Sequence, residues 1–327
     1  MKHWWMIAAA SLASGSTPGI GAQAVEQPPA HVQPPPLLGT ASPQEAATLA
    51  DQGVTIERGR SPAALLEDHR RLERALAELG PQRAGVVDAY VVSVAFDSDP
   101  VFAREAREAA RVLSRRYGAA GRTVVLAGAD GRGGDPLAMG SPHSLAAVLA
   151  RVAERMDARE DVLVLYTTSH GAPIGIVYND GDEGYGAISP ARLWTMLTQL
   201  GITNRLLLIS ACYSGAFVPV LASETSAILT ASAADKPSFG CQADNDWTFF
   251  GDALINQALR KPQPLATAAV QAQATIAGWE RGAKLDPSLP QVSIGAGAAR
   301  WLTALDAGMP RAASAPVGRP ATASLER

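Results

Sequence analysis

Between residues 85 and 230 the chain repeats one pattern: a short, nearly unbroken apolar run, then a stretch with helical spacing. Gly85 to Phe96, Thr123 to Leu126, Asp161 to Tyr166, Leu206 to Ile209 and Ser226 to Thr230 read as strands. Residues 100–117, 142–157 and 189–200 read as the helices between them. A helix over 61–79 precedes them, with Ser61 and Pro62 as cap and first-turn residue. Helices over 247–260 and 265–282 follow, and Gln291 to Ile294 reads as a sixth strand. Strands with no polar side have no face to turn to water, so they belong inside a sheet covered on both faces. Their alternation with helices makes that sheet mainly parallel. The expected class is α/β, a three-layer sandwich. The elements run on without an internal repeat or a second linker, which favours a single domain.

The two ends separate from this pattern. Lys2 and His3, the apolar stretch Trp4 to Ala13, and the small-residue site Ala22-Gln23-Ala24 read as a signal segment over 1–24. Export to the periplasm or the exterior is the expectation. Residues 25–43 carry prolines at 28, 29, 34, 35, 36 and 43, the composition of an extended linker. The domain itself spans 44–306, and 307–327, rich in Ala, Pro and Ser, reads as a disordered tail. With 28 Lys+Arg against 31 Asp+Glu there is no basic footprint for nucleic acid. No apolar run reaches the roughly 18–20 residues of a spanning helix. Two Cys are too few for a disulfide scaffold.

Functional groups in a parallel sheet sit just past the carboxyl ends of strands. The third strand runs into Thr167-Thr168-Ser169-His170-Gly171, and the fourth into Ser210-Ala211-Cys212-Tyr213-Ser214-Gly215. If those strands are neighbours, His170 and Cys212 leave the same edge and face each other. A thiolate attacks a carbonyl, and an imidazole removes the thiol proton and protonates the leaving amine. Gly171 brings a backbone N–H close to a substrate. With the Cys212 N–H it would hold a developing oxyanion. Each residue alone has an ordinary reading: a structural His at a strand end, an inert buried Cys, or a disulfide between Cys212 and Cys241. Ser214 is a poor nucleophile candidate, because a nucleophile elbow needs Gly where Cys212 stands.

The strand ending in His170-Gly171 and the later strand ending in Ala211-Cys212 resemble the legumain and caspase clan of cysteine peptidases. Thr168 to Gly171, Ser210 to Gly215, Leu229 to Ser232, Ser238 to Cys241, Thr248 to Asp252 and Pro287 to Gln291 stand in the order found in the legumain-like family, in its bacterial branch. The resemblance covers roughly residues 80–302. It implies a caspase-like sandwich and a cysteine endopeptidase acting on peptide or protein substrates without a cofactor or metal. Cys212 would be the nucleophile and His170 the acid and base. Cleavage after Asn, or Asp, is implied, with Ser238, Asp252 and Arg104 lining the first pocket. Two departures stand out. The Glu that legumains place two residues before the nucleophile is Ser210 here, and the first-helix arginine falls at Ala103 or Arg104. A catalytically silent binding fold, or a transpeptidase using the same thioester, are the alternatives.

The remaining signals are weaker. Asn179 to Gly184 lacks the acid spacing of a calcium loop and reads as a solvated turn near the cleft. His31, His69 and His143 form no ligand spacing. Gly131 to Asp135 lacks the Lys-Ser/Thr of a phosphate loop. Asp88 interrupts an apolar strand for no reason the sequence reveals.

Overall fold

The computed structural model describes residues 41–132 and 136–325. The signal segment at 1–24, and the linker up to residue 40, lie outside them. Regular structure begins at α1 (Pro43–Gln52). Its cap is reciprocal: the Ser42 hydroxyl accepts from the Glu45 N–H, and the Glu45 carboxylate accepts from the Ser42 N–H. Then come β1 (Thr55–Glu57), α2 (Pro62–Glu78), β2 (Ala89–Ala95), α3 (Pro100–Arg116), β3 (Thr123–Leu126) and α4 (Pro142–Arg155). β4 (Val162–Thr168), β5 (Gly171–Ala172), β6 (Gly175–Asp180), β7 (Gly184–Ile188), α5 (Pro190–Gln199) and β8 (Arg205–Ser210) follow. The chain goes on through α6 (Val218–Leu221), β9 (Ser226–Thr230), a π-helix at Gly251–Ala258, α7 (Leu265–Gly282), β10 (Gln291–Ile294) and α8 (Ala298–Ala307).

Among the described residues the main sheet has six strands in the order β10-β9-β8-β4-β2-β3. All neighbours are parallel except β10 and β9. Successive side chains in a strand point to opposite faces, and the core divides accordingly. Val91, Val164, Leu206, Leu208 and Leu229 pack under α3, the π-helix, α7 and α8. Val92, Val94, Leu163, Leu165, Leu207 and Ile209 pack under α2, α4 and α5. Each fully buried aliphatic side chain of this kind contributes about 1.5–3 kcal/mol. The expected three-layer α/β sandwich with a mainly parallel sheet is the observed architecture.

Five features differ from the sequence expectation. The first strand opens at Ala89, not Gly85. Asp88 ends the preceding segment as a buried anchor: its carboxylate accepts from Arg83 Nε at 3.0 Å and from the Arg83 backbone N–H at 2.7 Å, and pairs with Arg122 at 3.0 Å. Residues 171–188, with β1, form a second sheet, β1-β7-β6-β5. The strands within 171–188 are short and glycine-containing, and so gave no apolar run to read. The 179–184 turn is their hairpin. It is tied down and only partly solvated, since Asp180 is buried and pairs with Arg60 at 2.6 Å.

The helix expected over 247–260 is the π-helix, marked by the Leu259 N–H donating to Leu254 O at 2.8 Å. The tail beyond Ala307 is described up to Leu325 and lies against the domain where its composition pointed to disorder. Buried polar side chains hold its backbone, and few apolar contacts do so. The Trp247 indole N–H donates to Val317 O at 2.8 Å, and the Ala321 N–H donates to Asp252 at 2.8 Å.

Candidate functional site

β4 and β8 are adjacent and parallel, with Thr168 opposite Ser210. Two residues past that pair, the chain reaches His170 on one side and Cys212 on the other. Neighbouring parallel strands in this register deliver both groups to one edge, as the sequence implied. The turns beyond are tightly built. An ideal Cβ on Gly171 would lie 2.0 Å from Cys212 O and 2.8 Å from Cys212 N, so any side chain there forces the backbones apart. The residue after the thiol, Tyr213, has φ 59°, a left-handed conformation that costs a non-glycine residue energy and gathers at functional sites. It is held by its N–H donating to Lys236 O at 2.9 Å.

The Gly171 N–H direction follows from the ladder. The Val177 N–H donates to His170 O at 3.0 Å, which makes Gly171 and Ile176 a non-hydrogen-bonded antiparallel pair. The Gly171 N–H is therefore turned away from β6 and is not used by that ladder.

Cys212 receives a hydrogen bond from the Ser238 backbone N–H at 3.2 Å, and its Sγ lies 3.5 Å from Ser238 Oγ. The Cys212 thiol in turn donates to Ser238 O at 3.6 Å. Ser238, expected to line the first pocket, lies against the Cys212 sulfur. Cys212 and Cys241 are both free thiols, so the disulfide reading does not hold in this structure.

His170 sits beside Asp99, with Nε2 to Oδ2 at 3.2 Å, and edge-on to Phe102 with ring centroids 5.0 Å apart. Burial works against its charge. The hydrogen bond to Asp99 and one to the Cys241 thiol, with Asp97 nearby, outweigh that and push its pKa up to about 11. The resting ring is an imidazolium. Among the described residues, Asp97, Asp99 and His170 offer ligating atoms all within 4.8 Å of one another. A charged ring cannot ligate a cation without losing its proton, so metal binding there competes with that proton.

Sequence reasoning missed the two carboxylates, although Asp97-Ser98-Asp99 follows β2 at the same edge. The strand-end rule points to them as directly as to His170.

The other two pocket residues are not brought to the thiol. Arg104, on α3, donates to Ala243 O at 2.7 Å and to Asn245 O, and pairs with Asp246 at 3.5 Å. Asp252 is buried, accepting from Asn256 at 3.0 Å, Gln257 at 3.2 Å and Ala321 N at 2.8 Å. All three are internal partners, so neither side chain is left to read a substrate. A different carboxylate lies beneath the site: Glu105 is fully buried and accepts from Tyr166, from Thr168 at 2.8 Å and from Thr248 N at 2.7 Å. Thr248 in turn contacts Ser210 at 3.0 Å. The small Ser210, where legumains carry Glu, stands beside this network. Burial raises the Glu105 pKa against three hydrogen-bond donors.

A family model described as the peptidase C13 family matches residues 145–295, the span holding His170, Cys212, Ser238 and Cys241. A comparison with curated proteins found no match. Among solved structures, the crystal structure of Caspase-1 from Spodoptera frugiperda is similar at 15% identity and a TM-score of 0.43, covering 66% of this chain and 88% of that one.

Proposed function

From a chain that carries the peptidase C13 pattern over residues 145–295, we propose a cysteine endopeptidase in which Cys212 attacks the scissile carbonyl and His170 protonates the leaving amine. The observation that carries this reading is the β4–β8 register, which sets both groups two residues past one paired rung. Cys212, reacting as thiolate, forms a C–S bond to the carbonyl carbon while the C=O electrons move to oxygen. The backbone N–H groups of Gly171 and Cys212 hold that oxygen. As the C–N bond breaks, the imidazolium gives its proton to nitrogen, and Asp99 keeps the ring oriented and charged until then. Water, activated by the now neutral ring, resolves the thioester. An amine at the same point would give transpeptidation.

Substrates are peptides or proteins, and no helix among the described residues is long and apolar enough to cross a membrane. Export, carried by residues 1–24, completes the proposal. The preference for Asn or Asp rests on the family resemblance, of whose three pocket side chains only Ser238 stands at the thiol. A peptide library profiled with the parent protein and with Cys212→Ala tests the whole reading. Cleavage by the parent alone supports it, as does loss of cleavage in His170→Ala. Full turnover by either variant sinks it. The same profile decides the first-pocket preference.

A further inference from the structure

The loop that carries Ser238 and Cys241 is fixed from an unexpected direction. Asp246 is buried, and three arginines converge on its carboxylate: Arg104 from α3 at 3.5 Å, Arg132, and Arg319 of the C-terminal tail at 4.0 Å. The tail adds backbone contacts. The Arg319 N–H donates to Asp246 at 2.8 Å, and the Val317 N–H donates to Asn256 at 2.9 Å. Val317 O accepts from the Trp247 indole at 2.8 Å, and the Ala321 N–H donates to Asp252 at 2.8 Å. Gly318, at φ 75°, passes so close that a Cβ would sit 3.0 Å from Asp246 Oδ2 and 3.2 Å from Trp247 Nε1.

From this anchorage a chain of contacts runs to the sulfur. Next to Asp246, the Asn245 amide donates to Gly240 O at 2.9 Å. The Phe249 N–H donates to Phe239 O at 2.9 Å. Phe239 and Gly240 adjoin Ser238, whose N–H meets Cys212 Sγ at 3.2 Å. The donors and acceptors in the groove match the backbone of several successive residues, turned at Gly318, with a carboxylate for an arginine. A merely frayed tail would not fill such a set.

We propose that residues 317–321 act as a peptide ligand bound in cis, seated in a groove of Asp246, Trp247, Asp252 and Asn256, and that this segment positions the Ser238 N–H on the Cys212 sulfur. The inference deepens the peptidase reading by naming what sets the reactivity of its thiol. Its primary test needs no turnover. Asp252, which the family resemblance assigned to the substrate pocket, here grips the chain's own tail.

The experiment uses the full chain. Gly318→Val expels the segment from its groove, and Ala321→Pro removes the N–H that Asp252 accepts. Alkylation of Cys212 by iodoacetamide is followed against pH by peptide mapping. A synthetic peptide reproducing residues 316–324 is then added in trans. With the segment expelled, the Cys212 sulfur loses the Ser238 N–H, so Gly318→Val alkylates Cys212 about tenfold more slowly at neutral pH. The peptide restores the parent profile. Ala321→Pro slows alkylation by less, and supplies the answer if Gly318→Val does not fold. Parent-like profiles in the folded variants, or failure of the peptide to bind and restore, overturn the proposal. If alkylation slows as stated while the parent protein cleaves no peptide, the tail assignment stands and the peptidase reading falls.

Discussion

His170 is more than a third exposed, so solvent screens part of its interaction with Asp99, yet the sign of its effect is fixed. In the unfolded chain the ring titrates near 6.5, and in the fold near 11. The charged ring therefore stabilises the fold fully below pH 6.5, and that contribution disappears as pH rises toward 11. His170→Gln should lower the Tm most at pH 6, with the gap to the parent protein closing by pH 11 in a thermal-melt series. Asp99→Asn should pull the alkaline limb of kcat/KM to lower pH and cut kcat about tenfold, since the ring then releases its proton earlier. Gly171→Ala should cost on the order of a hundredfold in kcat/KM, because its methyl would lie 2.0 Å from Cys212 O. At this scale the sequence made the positions of Cys212 and His170 legible, since both follow apolar runs. Asp99 follows β2 at the same edge, so the strand-end rule reaches it too. The commitment of Arg104 was unreadable, because its partners lie in residues 243–246, far off in the chain and unremarkable in composition, and that of Asp252 was half so, because Asn256 and Gln257 are local but Ala321 is not.

The elements most clearly written in the sequence are those whose periodicity meets a single environment. β2, β4 and β8 are buried throughout, so their apolar runs announced them. The β6–β7 hairpin was silent because its packing depends on β1 and on the Arg60–Asp180 pair, both supplied from elsewhere in the chain. The π-helix has a similar cause: an ideal Cβ on Gly251 would sit 2.2 Å from the Glu105 carboxylate, so helix and α3 interlock at a point no local pattern encodes. Glu105→Ala should destabilise by about 3 kcal/mol, since Tyr166, Thr168 and the Thr248 N–H lose their buried acceptor. Chemical denaturation checks that figure. A loss under 0.5 kcal/mol would mean that water fills the gap.

Across the whole molecule, chemistry gathers at the carboxyl edge of the sheet while the opposite edge is a charged brace of Asp88, Arg83 and Arg122. Asp88→Ala should cost about 3–5 kcal/mol of stability, because it strands buried Arg122, while kcat per folded molecule stays at the parent value in active-site-titrated samples. The separation was half legible: strand polarity foretold where reacting groups belong, but not that the far edge would need an ionic closure. Such a division leaves room for change. Substitutions that harden the brace against heat can be accumulated without trading away turnover, so the two properties are free to be selected, or engineered, one at a time.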